Sequence, residues 1–192
     1  MANKGTVEPS MSQLTMEDLN AALPYICGAP KDIGPIDMLC FRPGFGEREM
    51  RNSLEFTVAQ GIPGERWMKS PWMRLPDGSP DPRIQVSVLS KRVAETVIPD
   101  MENSLHPGDP IIADMDLSEA NMPVGTRLQA GTAVIEVTDA YNEACVKWKT
   151  RYGSDAKDWI VVPENRPLRL RGILCRIVQD GVVQATDSLV KL

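Results

Sequence analysis

Ile173-Leu174-Cys175-Arg176-Ile177-Val178-Gln179-Asp180-Gly181-Val182-Val183 reads as an apolar strand, an Asp-Gly turn signal and the start of a second strand. The same short-strand grammar recurs in both directions from it. Leu54, Phe56 and Val58 alternate with Ser53, Glu55 and Thr57, the period of a half-buried strand. Gly61-Ile62-Pro63-Gly64 punctuates that segment, and a Pro-rich loop runs from Trp67 to Pro82. Gln85–Leu89 reads as a further strand, Leu128 and Ala133–Thr138 continue the pattern around a break at Gly131, and Leu189–Leu192 forms the last. Helical signals are brief. Thr15 with Glu17 and Asp18 resembles a capped first turn of a helix ending before Pro24, and Ser90 is placed to cap a short helix through Thr96. Strand-helix alternation is missing, which excludes a doubly wound sheet. The expected fold class is mainly β: many short, largely antiparallel strands closed or partly closed into a β-barrel, with a few short helices. Residues 1–35 read as an N-terminal appendage with a short helix, and 36–192 as the barrel domain.

Composition agrees with that reading. The chain has 192 residues, and its 16 Pro and 14 Gly show no repeat, which excludes a coiled coil or a helical bundle. A compact chain of this length buries about 70% of its unfolded surface, so it needs no disulfide or structural metal to fold. Its net charge of -5 argues against nucleic acid as the main partner. Cys27, Cys40, Cys145 and Cys175 form no Cys-x-x-Cys pair, and one His cannot complete the usual zinc patterns. Met1–Gln13 lacks the apolar core of a secretory signal, and no apolar run approaches the roughly 20 residues of a membrane helix. The expectation is a cytoplasmic protein with reduced thiols and no membrane contact. His106, in Leu105-His106-Pro107-Gly108, reads as a surface turn residue.

The chemistry concentrates in Asn142-Glu143-Ala144-Cys145-Val146-Lys147-Trp148-Lys149. Asn142 suits an N-cap and Glu143 a first turn, with Lys147, Lys149 and Arg151 ahead of Gly153; that reading sets Cys145 in the first turn of a short helix. Amide N–H groups and nearby cations there favour a thiolate, whereas the plain alternative is a small buried hydrophobe. From Cys145 to Arg176 eight basic residues face three acidic ones, a local +5 in a chain of -5. Such a lobe suits a small anionic ligand gripped by Arg forks. Pro43-Gly44-Phe45-Gly46-Glu47-Arg48 has turn glycines but no Gly-Lys-Ser/Thr, so it is no P-loop. Asp109, Asp114 and Asp116 miss the calcium-loop spacing and read as a solvated loop.

These residues together resemble the MOSC domain, the module first described at the C-terminus of molybdenum cofactor sulfurases. The resemblance rests on Gly61-Ile62-Pro63-Gly64-Glu65-Arg66, Arg83-Ile84-Gln85-Val86-Ser87, Gly108-Asp109-Pro110, and Met122-Pro123-Val124-Gly125-Thr126-Arg127-Leu128. It continues through Gly131 with Val134–Thr138, Cys145, Arg171-Gly172-Ile173 and Thr186-Asp187, and so covers about residues 36–192. It implies a MOSC-type β-barrel and a stand-alone member that binds molybdenum cofactor (molybdopterin), hence molybdenum ion binding. Carried over, Cys145 is the catalytic thiol and metal ligand, and Arg66, Arg83 and Arg171 hold the phosphorylated pterin. One implied activity is reduction of N-hydroxylated compounds with electrons from a separate redox partner. The alternative is a sulfur carrier that accepts persulfide sulfur on Cys145 from a separate pyridoxal-phosphate-dependent cysteine desulfurase. The pyridoxal-phosphate lysine domain of the sulfurases is not in this sequence. Ala144, Trp67, Pro110 and Thr186 stand where the family commonly has Pro, His, Asn and Gly. A barrel that binds a small molecule or partner with Cys145 inert is the third reading.

Overall fold

Seven strands close into a barrel in the computed structural model, which describes residues 14–98 and 105–192. Met1–Gln13, and with it the start of the expected appendage, lies outside the described residues. The strands are β1 (Ile33–Phe41), β2 (Glu49–Met50), β3 (Ser53–Phe56), β4 (Val86–Ser90) and β5 (Ile111–Ala113). They continue as β6 (Arg127–Ala130), β7 (Ala133–Val137), β8 (Ile173–Gln179), β9 (Gly181–Gln184) and β10 (Ser188–Lys191). Around the barrel the order is β10-β6-β7-β8-β4-β5-β1, and β1 closes on β10 through the pairs Ile33 with Val190 and Pro35 with Ser188. Every pairing in this ring is antiparallel except β4 with β5. The mainly β barrel expected from the strand pattern is therefore the observed fold.

The interior is filled from alternate positions of each strand, as the pleat requires. Val86, Val88, Ile111, Leu128, Ile135 and Ile177 belong to this core. A second core lies outside the barrel, under α1 (Met16–Ala21), α2 (Leu23–Cys27), α4 (Lys91–Val97), α5 (Val146–Tyr152) and α6 (Ser154–Val161). Leu89 and Ile112 face it from the barrel wall, and Leu19, Trp148, Trp159 and Ile160 meet them. Consequently β4 is buried at all five positions, with one face in the barrel and one beneath helices. That double burial and the α4 crossover suit the single parallel pair.

Local readings hold in part. Thr15 and Asp18 form a capping box on α1, which ends at Ala21, before Pro24 as expected; Pro24 then occupies the first turn of α2, where its missing N–H costs nothing. Ser90 precedes α4 but makes no side-chain cap bond. Leu54 and Phe56 are buried as expected, whereas Val58 is exposed, because the chain turns where Thr57 bridges Gly61. Gly61 adopts φ 68°, and a Cβ there would lie 2.9 Å from the Trp67 ring. The Asp180-Gly181 signal does not make a hairpin: β9 leaves β8 and pairs with β3 as a two-stranded ribbon over the core. Asp180 Oδ1 instead accepts from Val58 N at 2.8 Å, tying the turn to the end of β3.

Gly172 fixes the approach to β8. It has φ 85°, and a Cβ would fall 2.0 Å from the Val88 carbonyl oxygen. Gly172→Ala is expected to cost about 3 kcal/mol, with Tm falling by roughly 6–12 °C in thermal denaturation.

Candidate functional site

Asp109 and Arg171 anchor the basic side of the barrel mouth. Arg171 Nη1 donates to both carboxylate oxygens of Asp109 at 2.9 Å, and its guanidinium lies 4.7 Å from the Trp148 ring centroid. Asp109 is 1% exposed, so it is no solvated loop residue. Burial alone would raise its carboxyl pKa; Arg171 and a hydrogen bond from Ser87 outweigh that and hold it below the usual range. Beside this pair, Arg42 bonds the buried Glu65 through Nε and donates from Nη1 to the Gly108 carbonyl at 2.9 Å. One Glu65 oxygen, Oε2, is buried without a partner.

Arg66 opens α3 (Arg66–Lys69), with its backbone N–H donating to the Arg42 carbonyl at 2.9 Å. Its guanidinium makes no ion pair among the described residues. Partial burial, then the neighbouring Arg42, lowers its pKa. Arg42, Arg66 and Arg171 line one cavity of about 90 Å³ with Ser87, Asn142 and Trp72. Trp67 closes its floor, its Nε1 donating to the Asp81 carbonyl at 3.1 Å.

Two of the three arginines expected from sequence, Arg66 and Arg171, thus meet in one cavity. Arg83 does not: its guanidinium is bonded to Asp81 at 2.7 Å and Asp139 at 3.3 Å, outside the cavity lining. Those bonds, with Asp81 foremost, raise its pKa. Cys145 is exposed at the N-cap of α5, one residue before the helix rather than in its first turn. Asn142 does not cap this helix, because its Nδ2 donates to the Arg171 carbonyl at 2.9 Å. It lines the cavity instead, three residues before Cys145. Cys40 and Cys175 are buried, and burial raises the Cys40 thiol to about 11 and Cys175 higher still.

Arg42 carried no site signal in the sequence, and Asn142 and Ser87 stood out only as an N-cap candidate and a motif position, since their partners are remote along the chain. The flanks of the Pro43–Arg48 turn offered the only hint: Arg42 precedes it, and Arg48 ends it with its guanidinium against Gly108. His106 is buried, not at the surface as its loop-like sequence suggests. It is 9% exposed, its Nδ1 accepts from Gly108 N at 2.9 Å, and Nε2 is buried without a partner. A larger cavity of about 140 Å³ lies between α2, α4 and Met115–Ser118, with a mainly apolar lining and none of the expected site residues.

No protein-family model matches the chain, and no curated protein does. Solved structures do. The YuaD protein from Bacillus subtilis shares 17% identity at a TM-score of 0.59, covering 83% of this chain and 94% of its own. A hypothetical protein shares 17% identity at a TM-score of 0.55, covering 83% of this chain and 68% of its own. At this identity the likeness is one of fold.

Burial pushes the His106 pKa down to about 4 from an ordinary value of 6.5. The unfolded chain therefore binds this proton first as pH falls. The stability from neutral His106 is complete above pH 6.5 and is lost down to about pH 4, roughly 3 kcal/mol in all. Denaturation at stepped pH should show that loss in the wild type and not in His106→Asn. Arg171→Met, which strands Asp109, should cost about 3–5 kcal/mol in urea unfolding, and Asp109→Leu with Arg171→Met should recover most of it.

Proposed function

We propose that this chain works as a stand-alone MOSC-type protein that holds molybdenum cofactor in the Arg42–Arg66–Arg171 cavity, with Cys145 as its sulfur ligand. The observation that supports it most is the convergence of Arg66, Arg171 and Asn142 in one cavity, with the exposed Cys145 three residues along the chain from Asn142. The residues fit such a group in two respects. Arg66 has a guanidinium fork free of carboxylates among the described residues, which suits the pterin phosphate. No group of three or more His, Cys, Asp or Glu comes together among the described residues. A metal here therefore needs ligands of its own, as a dithiolene cofactor brings, and one soft thiolate from Cys145 completes such a set.

When bound, the cofactor supplies two-electron redox chemistry. The chain's own residues bind and orient it. Arg66 and Arg171 grip the phosphate, and Asp109 holds Arg171 in one geometry, so little side-chain entropy is lost on binding. Trp67 and Trp72 limit water at the cavity wall. Reduction of an N-hydroxylated compound to the amine takes two electrons and two protons and releases water. The electrons come from an external donor.

The exposure of Cys145 also supports a second role as a sulfur carrier. There the Cys145 thiolate attacks the outer sulfur of a desulfurase persulfide, forming its own persulfide and releasing the desulfurase thiolate. Both readings are compatible with a chain in which no described helix is long and apolar enough to cross a membrane.

Protein purified from a host that makes the cofactor should contain molybdenum and an oxidised-pterin fluorophore. Arg66→Gln should lower the pterin content at least fivefold, and Cys145→Ser should keep pterin but lose reductase activity. Wild-type protein free of both metal and pterin overturns the cofactor reading. A mass gain of about 32 Da on wild type but not Cys145→Ser, after exposure to a cysteine desulfurase, is the mark of the carrier role.

A further inference from the structure

The charges around the cavity exceed what a single phosphate would neutralise. Inside it, Glu65 and Asp109 offset Arg42 and Arg171, so one net positive charge, Arg66, is left. Just outside stand Arg48, Lys147 and Arg151, none of which has an ion pair among the described residues. Phe45, 76% exposed, joins the two groups: the Lys147 Nζ lies 3.4 Å and the Arg66 Cζ 5.8 Å from its ring centroid. Arg48 leans on Gly108, and its Nε is buried without an acceptor. Arg151 reaches the same loop, with Nη1 3.5 Å from the Pro107 carbonyl.

The cations disturb one another. Burial and then Arg151 lower the pKa of Arg48, and burial, then Arg66 and Arg151, lower that of Lys147. Glu47, the acid of the adjoining turn, lies against Gly44 and makes no ion pair with them. Four cations gathered without a counter-charge in an acidic protein repel each other, which destabilises the free state and is relieved by a multiply charged anion. A ligand that joins two anionic groups gains further, because the second contact is intramolecular.

We propose that the ligand of this site carries a diphosphate group, with one phosphate among Arg42, Arg66 and Arg171 and the other among Arg48, Lys147 and Arg151 beside Phe45. The proposal rests on the cavity being an anion site and extends it to a ligand class. The diphosphate is either free or part of a larger nucleotide-like molecule.

Isothermal titration at fixed ionic strength with inorganic phosphate, pyrophosphate and ADP tests it. Pyrophosphate, ADP or both should bind at least tenfold more tightly than phosphate. In Arg48→Gln/Arg151→Gln that preference should fall at least fivefold, with folding checked by circular dichroism. Lys147→Gln, a change at an exposed side chain, should lower the preference in the same direction. A preference for pyrophosphate alone identifies free diphosphate, and a greater one for ADP identifies a nucleotide-borne group. Phosphate binding with no diphosphate preference, or a preference that survives both rim variants, overturns the proposal and leaves the cavity's anion reading standing. Absence of binding by all three overturns both.

Discussion

The pairing of β1 with β10 closes the barrel, and the remaining architecture depends on it. These strands lie at opposite ends of the described chain, so their contact carries a large loop-closure cost that many local contacts must offset. It is possible because β1 is long enough to serve three partners. Its first residues pair with β10 and its later ones with β5 and β2, and a register irregularity between Ile36 and Met38 falls just inside the β5 pairing. Without the pairing of β1 with β10 the sheet would present two open edges.

Electrostatics at that mouth work on two levels. The inner level is compensated: Asp109 with Arg171 and Glu65 with Arg42 are buried pairs whose members depend on each other. Such pairs contribute little net stability against an apolar alternative, but they fix orientation strongly, because losing either member strands a buried charge. The outer level, Arg66 with Lys147, Arg48 and Arg151, is uncompensated and nearer solvent. A rigid inner frame thus carries a cluster of unsatisfied charge, the arrangement expected where affinity for an anion matters more than folding stability.

The barrel was legible in the sequence because strand alternation is local. Ser53–Phe56 and Ala133–Val137 declare their faces within four or five residues, and each buries as its alternation predicts. The pairing of β9 with β3 was not legible, since Asp180-Gly181 fits a hairpin equally well and the four residues of β3 that pair with β9 are remote in sequence. The site divides in the same way. Cys145 and the basic C-terminal stretch stand out because they are neighbours in sequence. Arg42, Ser87 and Asp109 come together only through the barrel's long-range pairings, so no spacing rule finds them. Arg83 shows the opposite error: its motif context suggested a ligand-holding role, yet Asp81, two residues away, bonds its guanidinium. The burial of His106 is likewise hidden in the sequence, because Pro107-Gly108 has the composition of an exposed turn while the fold covers it.

The stacking of Arg171 on Trp148 has an optical consequence. Trp148 also meets Tyr152 edge-on, with ring centroids 4.7 Å apart, and Trp67 and Trp72 line the same cavity. Two of the four indoles in the chain therefore line one opening, while Trp148 and Trp159 belong to the helical core and Trp148 meets the opening only through Arg171. Intrinsic emission from this protein therefore divides between its cavity and its helical core, with the Arg171–Trp148 contact joining the two.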